Sequence, residues 1–120
     1  MGHALLDDTA DWLEGGEKAR VSGPIVFGEE DAHALVFAMV CQNITHDNTV
    51  GREVKPLELT PSATRWVVEV ERRSGPAFSE GMATASALAI FTNAEGEFAS
   101  YSWTDCIQLG TGSAHGEHLT

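Results

Sequence analysis

The stretch LLDDTADWLEGG, from Leu5 to Gly16, decides the fold, because it fits two different structures. It can form one amphipathic helix, or it can form the end of a helix followed by a strand. Local propensity favours the single helix, since one helical face would collect Leu5, Leu6, Ala10, Trp12 and Leu13. A segment this short is only weakly determined by its own residues, so the rest of the chain has to choose between the two structures.

The composition predicts one domain of ordinary size. The chain has 120 residues, of which 42% are hydrophobic, and this is enough to bury a core without metal or disulfide support. Acidic residues outnumber basic ones by 18 to 7, which gives a formal net charge of -11. We therefore expect no nucleic-acid partner, because Lys and Arg supply the charge that binds phosphates.

The cysteines and the hydropathy pattern predict a cytoplasmic protein. No apolar run is long enough to span a membrane, so we expect no membrane partner, and the first six residues lack a signal-peptide pattern. Cys41 and Cys106 form neither a CxxC pair nor a disulfide framework, and we expect no cofactor and no metal site. The polar sequence over residues 111–120 is typical of a disordered tail.

The middle of the chain predicts one main helix. Acidic residues follow Gly28, and acidic side chains are favourable at the start of a helix. From Ala34 to Cys41 the sequence is apolar nearly all round, which is typical of a buried helix. We therefore expect a helix from about Glu30 to Ile44.

After this segment the hydrophobic period changes from 3.6 to 2, which indicates strands. The segments Arg20–Phe27, Val54–Leu59 and TRWVVEVER around Trp66 each predict a strand, and Pro56 suggests an edge position. The last thirty residues before the tail predict a long hairpin whose turn, TNAEGE, contains Gly96. The expected fold class is α+β, with a strongly curved antiparallel sheet of about four strands around one main helix.

Three stretches, LLDDTADW, VSGPIVFGEEDAHALVFAM and ALAIFTNAEGEFASYSWTDCIQL, together resemble the nuclear transport factor 2-like superfamily. That superfamily includes ketosteroid isomerases, polyketide cyclases, limonene epoxide hydrolases and non-catalytic binding domains. The resemblance implies a cone-shaped sheet over residues 1–110 as a single domain, without the usual first helix. It also implies that Leu5–Thr9 is a short helix end and that Ala10–Leu13 is the first strand, before a turn at Gly15 and Gly16.

Asp105 is the main candidate for catalysis. It shares an apolar strand face with Tyr101 and Trp103, where burial would raise its pKa toward that of a useful acid or base. The segment SWTDCI also resembles the W-x-D pattern that carries a catalytic aspartate in limonene epoxide hydrolases, although the Arg-x-Asp of that family is missing. Resemblance to ketosteroid isomerases implies that Asp11 or Glu14 could serve as the base. The expected ligand-binding residues are Trp103, Tyr101, Trp12, Trp66 and Phe37.

Two classes of function remain open. The first is an acid-base isomerase, cyclase or hydratase that acts on an apolar or polycyclic small molecule. The second is a non-catalytic ligand-binding or assembly domain. In either case we expect a homodimer that pairs through the outer face of the sheet, where the last strand carries only small or uncharged side chains, namely Ser100, Ser102, Thr104 and Cys106.

Overall fold

The protein is built almost entirely of β-strands. The computed structural model describes residues 2–44 and 47–110, apart from the side chain of Ile44. Within these ranges there is no α-helix, and a short 3-10 turn covers Glu14–Gly16. The strands are β1 (His3–Ala4), β2 (Thr9–Leu13), β3 (Lys18–Val26), β4 (Asp31–Ile44), β5 (Asp47–Glu53), β6 (Leu57–Leu59), β7 (Arg65–Ser74), β8 (Gly81–Asn93) and β9 (Phe98–Gly110).

Seven of the strands form a closed ring in the order β3-β2-β9-β8-β4-β5-β7, and β7 pairs again with β3. Strand β1 extends β3, and β6 pairs with β4. All pairs are antiparallel except β2 with β9, which is parallel. The extents of 47 × 34 × 20 Å describe a flattened ring. Trp66 on β7 contacts Trp103 on β9, so a layer with β9, β8 and β4 faces a layer with β2, β3 and β7.

The core lies between the two layers. Trp66 on β7 meets Trp103 on β9 with ring centroids 5.9 Å apart, and Phe27 meets Phe91 at 5.4 Å. The inward positions of β4 and β8 are mostly alanine or valine, and these small side chains leave room for Trp66. The largest fully buried side chains include Trp66, Phe78, Phe91, Ile107 and Leu109.

The predicted main helix is wrong, and with it the α+β class and the resemblance to the nuclear transport factor 2-like superfamily. The segment from Glu30 to Ile44 is strand β4, so no helix stands inside the sheet. Its apolar residues alternate between the core, as at Val36 and Val40, and the outer surface, as at Phe37 and Met39. A strand that is apolar on both faces cannot be distinguished from a buried helix by its hydrophobic period.

The structure shows which conformation the stretch from Leu5 to Gly16 adopts. The strand predicted at Ala10–Leu13 is confirmed as β2. The helix end predicted at Leu5–Thr9 is wrong, because Leu5 N–H donates to the Pro24 carbonyl at 3.0 Å and the segment runs extended beside β3. Gly23 permits this close passage, since a Cβ there would collide with the Leu5 carbonyl. The turn at Gly15 and Gly16 is confirmed, with φ angles of 66° and 93°.

The final hairpin is confirmed. Strands β8 and β9 pair along their whole length, from Gly81 with Leu109 to Thr92 with Phe98. The turn closes through the Asn93 N–H, which donates to the Glu97 carbonyl at 2.9 Å, and Gly96 has a φ of 85°. The disordered tail predicted for residues 111–120 lies outside the described residues.

Candidate functional site: the outer face of β4, β8 and β9

The three carboxylates expected to act in catalysis are not brought together. Asp105 is exposed, so the burial expected of it is wrong. Asp11 lies opposite Gly110 in the parallel pairing of β2 and β9, which places it five residues, about 16 Å, along the sheet from Asp105. Asp11 instead bonds Arg20 at 3.2 Å, and Glu14 lies 3.5 Å from the Lys18 amino group.

Three of the five predicted ligand-binding aromatics do come together, but they fill the space between the layers. Trp103 contacts both Trp66 and Tyr101, the latter with ring centroids 5.5 Å apart. Trp66 is fully buried, and its indole N–H donates to the Leu5 carbonyl at 2.8 Å. The buried indole N–H of Trp103 has no acceptor among the described residues. These side chains therefore act as core residues.

The other two predicted aromatics lie elsewhere. The Trp12 indole N–H donates to the Phe78 carbonyl at 2.7 Å, which ties β2 to the loop before β8. Phe37 is half-buried on the outer surface of β4, on the opposite side of the sheet from Trp103. Phe37 therefore belongs to the outer surface of the sheet, although the sequence predicted it to line a ligand pocket.

The outer surface of β4, β8 and β9 forms a regular array of uncharged side chains, which we call the uncharged face. The strand registers align these residues in four rows across the three strands. Five of the twelve are leucine, isoleucine, phenylalanine or methionine and lie toward one end, and the other seven are serine, threonine or cysteine. The rows are Leu35-Ile90-Ser100, Phe37-Leu88-Ser102, Met39-Ser86-Thr104 and Cys41-Thr84-Cys106.

A shallow groove of about 450 Å³ lies in the middle of the uncharged face, with Phe37, Met39 and Leu88 along it. Its polar end is built by Glu53, of which only 8% is exposed. The Glu53 carboxylate accepts the Ala38 N–H at 2.8 Å, in the gap between β5 and β6 where β4 has no strand partner on the side away from β8. Glu53 therefore completes the sheet, and its contact with Arg52 at 3.6 Å places the two charges at the border of the face.

The opposite surface, on β2, β3 and β7, is charged. Arg20 donates to Asp11 and to Glu69, both at 3.2 Å, so that one row across three strands alternates in charge. The hydrogen bond that Arg20 donates to the Glu69 carboxylate raises the pKa of the guanidinium, burial opposes this rise, and the negative charges of Asp11 and Glu69 add to it. All seven Lys and Arg residues lie between residues 18 and 73, so β8 and β9 have none.

Two further grooves lie elsewhere on the described part of the chain. An acidic groove of about 150 Å³ lies beside Glu30, Glu97 and Phe98, and an apolar groove of about 240 Å³ lies between Val54 and Val67. Asp105 lines neither groove. Across residues 2–44 and 47–110, no group of three or more His, Cys, Asp or Glu residues could hold a metal ion. The same part of the chain contains no helix with the length and hydropathy needed to cross a bilayer.

Comparison with known proteins gives a weak structural similarity and no family. No protein-family model and no curated protein sequence matches this chain. A solved structure of murine CRIg is similar, with 7% identity and a TM-score of 0.44 over 92% of this chain and 98% of that one. At this identity and TM-score the similarity supports no assignment of function.

Proposed function

We propose that this protein is a non-catalytic assembly domain that forms a homodimer by packing its uncharged face against that of a second copy. The observation that carries the proposal is the array of twelve side chains without a charge, in a chain whose formal net charge is -11. Depletion of charged residues at the centre, with a polar rim, is the compositional mark of a protein interface. Here Arg52 and Glu58 would form part of that rim.

The size of the face suits a weak dimer. Three strands spaced about 4.8 Å apart and four rows about 6.7 Å apart give a flat area of roughly 390 Å² on each copy. Side chains project from this flat area, so the accessible surface that two copies would bury together is about 1,000 Å². This is at the lower limit for a specific interface. The small residues on β9 would let the sheets approach to the usual packing distance of about 10 Å. We therefore expect a dissociation constant in the micromolar range.

Charge argues for the uncharged face over any other surface as the contact between two copies. Two chains of charge -11 repel each other at long range, and this repulsion is smallest where neither presents a charge. Salt screens such repulsion, so the dimer should become tighter as NaCl is added. A partner held by complementary charges would show the opposite dependence.

The acid-base enzyme has less support than the assembly domain. It needs Asp105 in a desolvated site beside an open cavity, and Asp105 is exposed while Trp66, Tyr101 and Trp103 pack against one another. As part of the proposal we place the dimer in the cytoplasm. The cysteines Cys41 and Cys106 are both free and both lie on the uncharged face, and they would remain thiols in a reducing compartment.

The test is a charge placed at the centre of the face. Leu88→Asp introduces a carboxylate in the second row of the array, and Val67→Asp makes the same kind of change at an exposed position on β7 in the other layer. We expect sedimentation equilibrium to give a dimer for the unmodified protein and for Val67→Asp, but a 12.8 kDa monomer for Leu88→Asp at the same concentration. The thermal midpoint of dilute, monomeric Leu88→Asp should stay close to that of Val67→Asp.

Three results would overturn the proposal. The first is that the unmodified protein stays monomeric at several hundred micromolar, whether or not the groove binds a hydrophobic dye. The second is a dimer that survives Leu88→Asp. The third is a dimer that both variants disrupt equally, because the contact would then not be specific to the uncharged face.

A further inference from the structure

The long edge of strand β9 is open over most of its length. Its first ten residues, Phe98–Ile107, pair with β8 on one side, and the pairing with β2 on the other side covers only Gln108–Gly110. No backbone hydrogen bond among the described residues reaches this second side before Gln108. The N-terminal segment that could cover it turns away toward β3, where the Asp7 N–H donates to the Ser22 carbonyl at 2.8 Å.

The hydrogen bonds identify which backbone groups point outward. The bond from the Asn93 N–H to the Glu97 carbonyl makes this a hydrogen-bonded pair, so the odd-numbered residues of β9 face β8. The even-numbered residues then face the open side. The bond from the Gln108 N–H to the Asp8 carbonyl at 2.8 Å agrees with this assignment. Unpaired N–H and C=O groups therefore line the edge at Phe98, Ser100, Ser102, Thr104 and Cys106.

Apart from the inward-side carboxylate of Asp105 near one end, this edge carries none of the features that usually prevent strands from pairing. Proteins commonly protect an edge with lysine, proline, a bulge or a very short strand. Between Phe98 and Ile107 there is no Lys, Arg or Pro, and the register with β8 runs without a shift. The edge is thus a template for a further strand.

The charges around the edge specify the chemistry of the added strand. Carboxylates stand at both ends, with Glu97 and Glu30 beside Phe98, and Asp105 and Asp8 near Ile107. No basic residue follows Arg73, so nothing on β8 or β9 neutralises them. We propose that this edge binds an extended segment of another protein by strand addition, and that the segment carries Lys or Arg at its ends. A second copy, with the same acidic ends, fits this edge less well.

This inference is independent of the proposed dimer, since the edge and the uncharged face use different groups. The probe is a capped peptide, KTVTVTVTK, whose alternating pattern suits a strand and whose lysines would meet the carboxylates. One control, ETVTVTVTE, reverses the end charges. A second, KTVTPPVTK, keeps the lysines and removes hydrogen-bond donors on both sides of the peptide.

Amide hydrogen exchange followed by NMR gives the most direct readout. In the free protein at low concentration, the amides of Ser100, Ser102 and Thr104 should exchange fast, while those of Tyr101 and Trp103 are protected by β8. With KTVTVTVTK the even-numbered amides should slow by about tenfold or more, and neither control peptide should change them. Leu88→Asp should bind the peptide as the unmodified protein does.

A matched pair of variants tests the edge from the protein side. Ser102→Pro removes one outward N–H that bonds nothing in the described protein, and Ser102→Ala keeps that N–H. We expect Ser102→Pro to lose the peptide and Ser102→Ala to retain it. If Ser102→Pro fails to fold, the exchange pattern of the unmodified protein and the two control peptides still test the inference. Fast exchange that the peptide leaves unchanged, equal binding of either control, or edge protection that rises with protein concentration alone would each overturn the inference.

Discussion

The two outer surfaces of the flattened ring have opposite chemistry. Across β2, β3 and β7 a typical row is Asp11-Arg20-Glu69, and across β4, β8 and β9 the corresponding kind of row is Phe37-Leu88-Ser102. Both surfaces are built on the same sheet and cover the same core. The fold therefore does not require an uncharged surface, and its presence on only one layer is the feature that supports the proposed contact with a second copy.

The difference does not come from stability, because exposed ion pairs contribute little. The side chains of Arg20 and Glu69 are 40% and 45% exposed, and pairs of this kind are worth about 0.2–1 kcal/mol. The charges on β2, β3 and β7 instead keep that surface in water. The two layers should therefore contribute comparably to the core and differ only at their outer surfaces.

The largest expected effect is the loss of the core that both layers share. Trp66→Ala removes a fully buried indole from between the layers, and we expect it to lower the free energy of unfolding by about 3–5 kcal/mol. Chemical denaturation measures this change. Phe98→Ala is the control, because Phe98 is 73% exposed and its removal should cost at most about 0.5 kcal/mol. Equal losses for the two variants would contradict the placement of the core.

How far the sequence predicted this structure depended on whether a strand has one apolar face or two. The β8–β9 hairpin was predictable because small and large residues alternate and Gly96 marks its turn. Strand β2 was also predicted, although the resemblance that selected it proved wrong. Strand β4 was not predictable from its period, since Leu35, Phe37 and Met39 are apolar without being in the core.

The same residues explain why the site was only partly found. The sequence predicts Phe37 in a ligand pocket and the serines of β9 at a dimer contact, but it does not show that they share one surface. Joining them needs the register between β4 and β8, which depends on contacts distant in sequence. Asp105 was misplaced for a related reason. The alternation along β9 puts Asp105 on the inner side of the strand, but it does not tell whether the opposite layer extends far enough to bury it.

A second prediction compares the two indoles that meet between the layers. Trp66→Phe breaks a hydrogen bond to the Leu5 carbonyl, whereas Trp103→Phe removes an N–H with no acceptor among the described residues. Both changes remove a similar volume, and Trp66 is the more deeply buried of the two, so the lost bond and the burial act in the same direction. We expect Trp66→Phe to be more destabilising by about 1–3 kcal/mol in denaturant unfolding. A Trp103→Phe variant that is the less stable of the two would show that its N–H does find a partner.

The smallest expected effect compares one cross-strand pair on each outer surface. On the charged surface, a double-mutant cycle of Arg20→Gln and Glu69→Gln should give a coupling of about 0.2–1 kcal/mol, which falls when NaCl is raised because salt screens the pair. On the uncharged face, Ser86 and Thr104 share a hydrogen bond of 3.0 Å between neutral hydroxyls. A cycle of Ser86→Ala and Thr104→Val should give a coupling of similar size that salt leaves unchanged.

Both cycles are measured by urea unfolding at protein concentrations where the chain is monomeric, so that dimer formation does not enter the result. The salt dependence, more than the size of either coupling, carries the comparison. If the Arg20–Glu69 coupling is insensitive to NaCl, the charged surface is less open to solvent than the exposed side chains indicate. If the Ser86–Thr104 coupling falls with NaCl, charge acts on the uncharged face from a distance, and the reason for assigning that face to a second copy is lost.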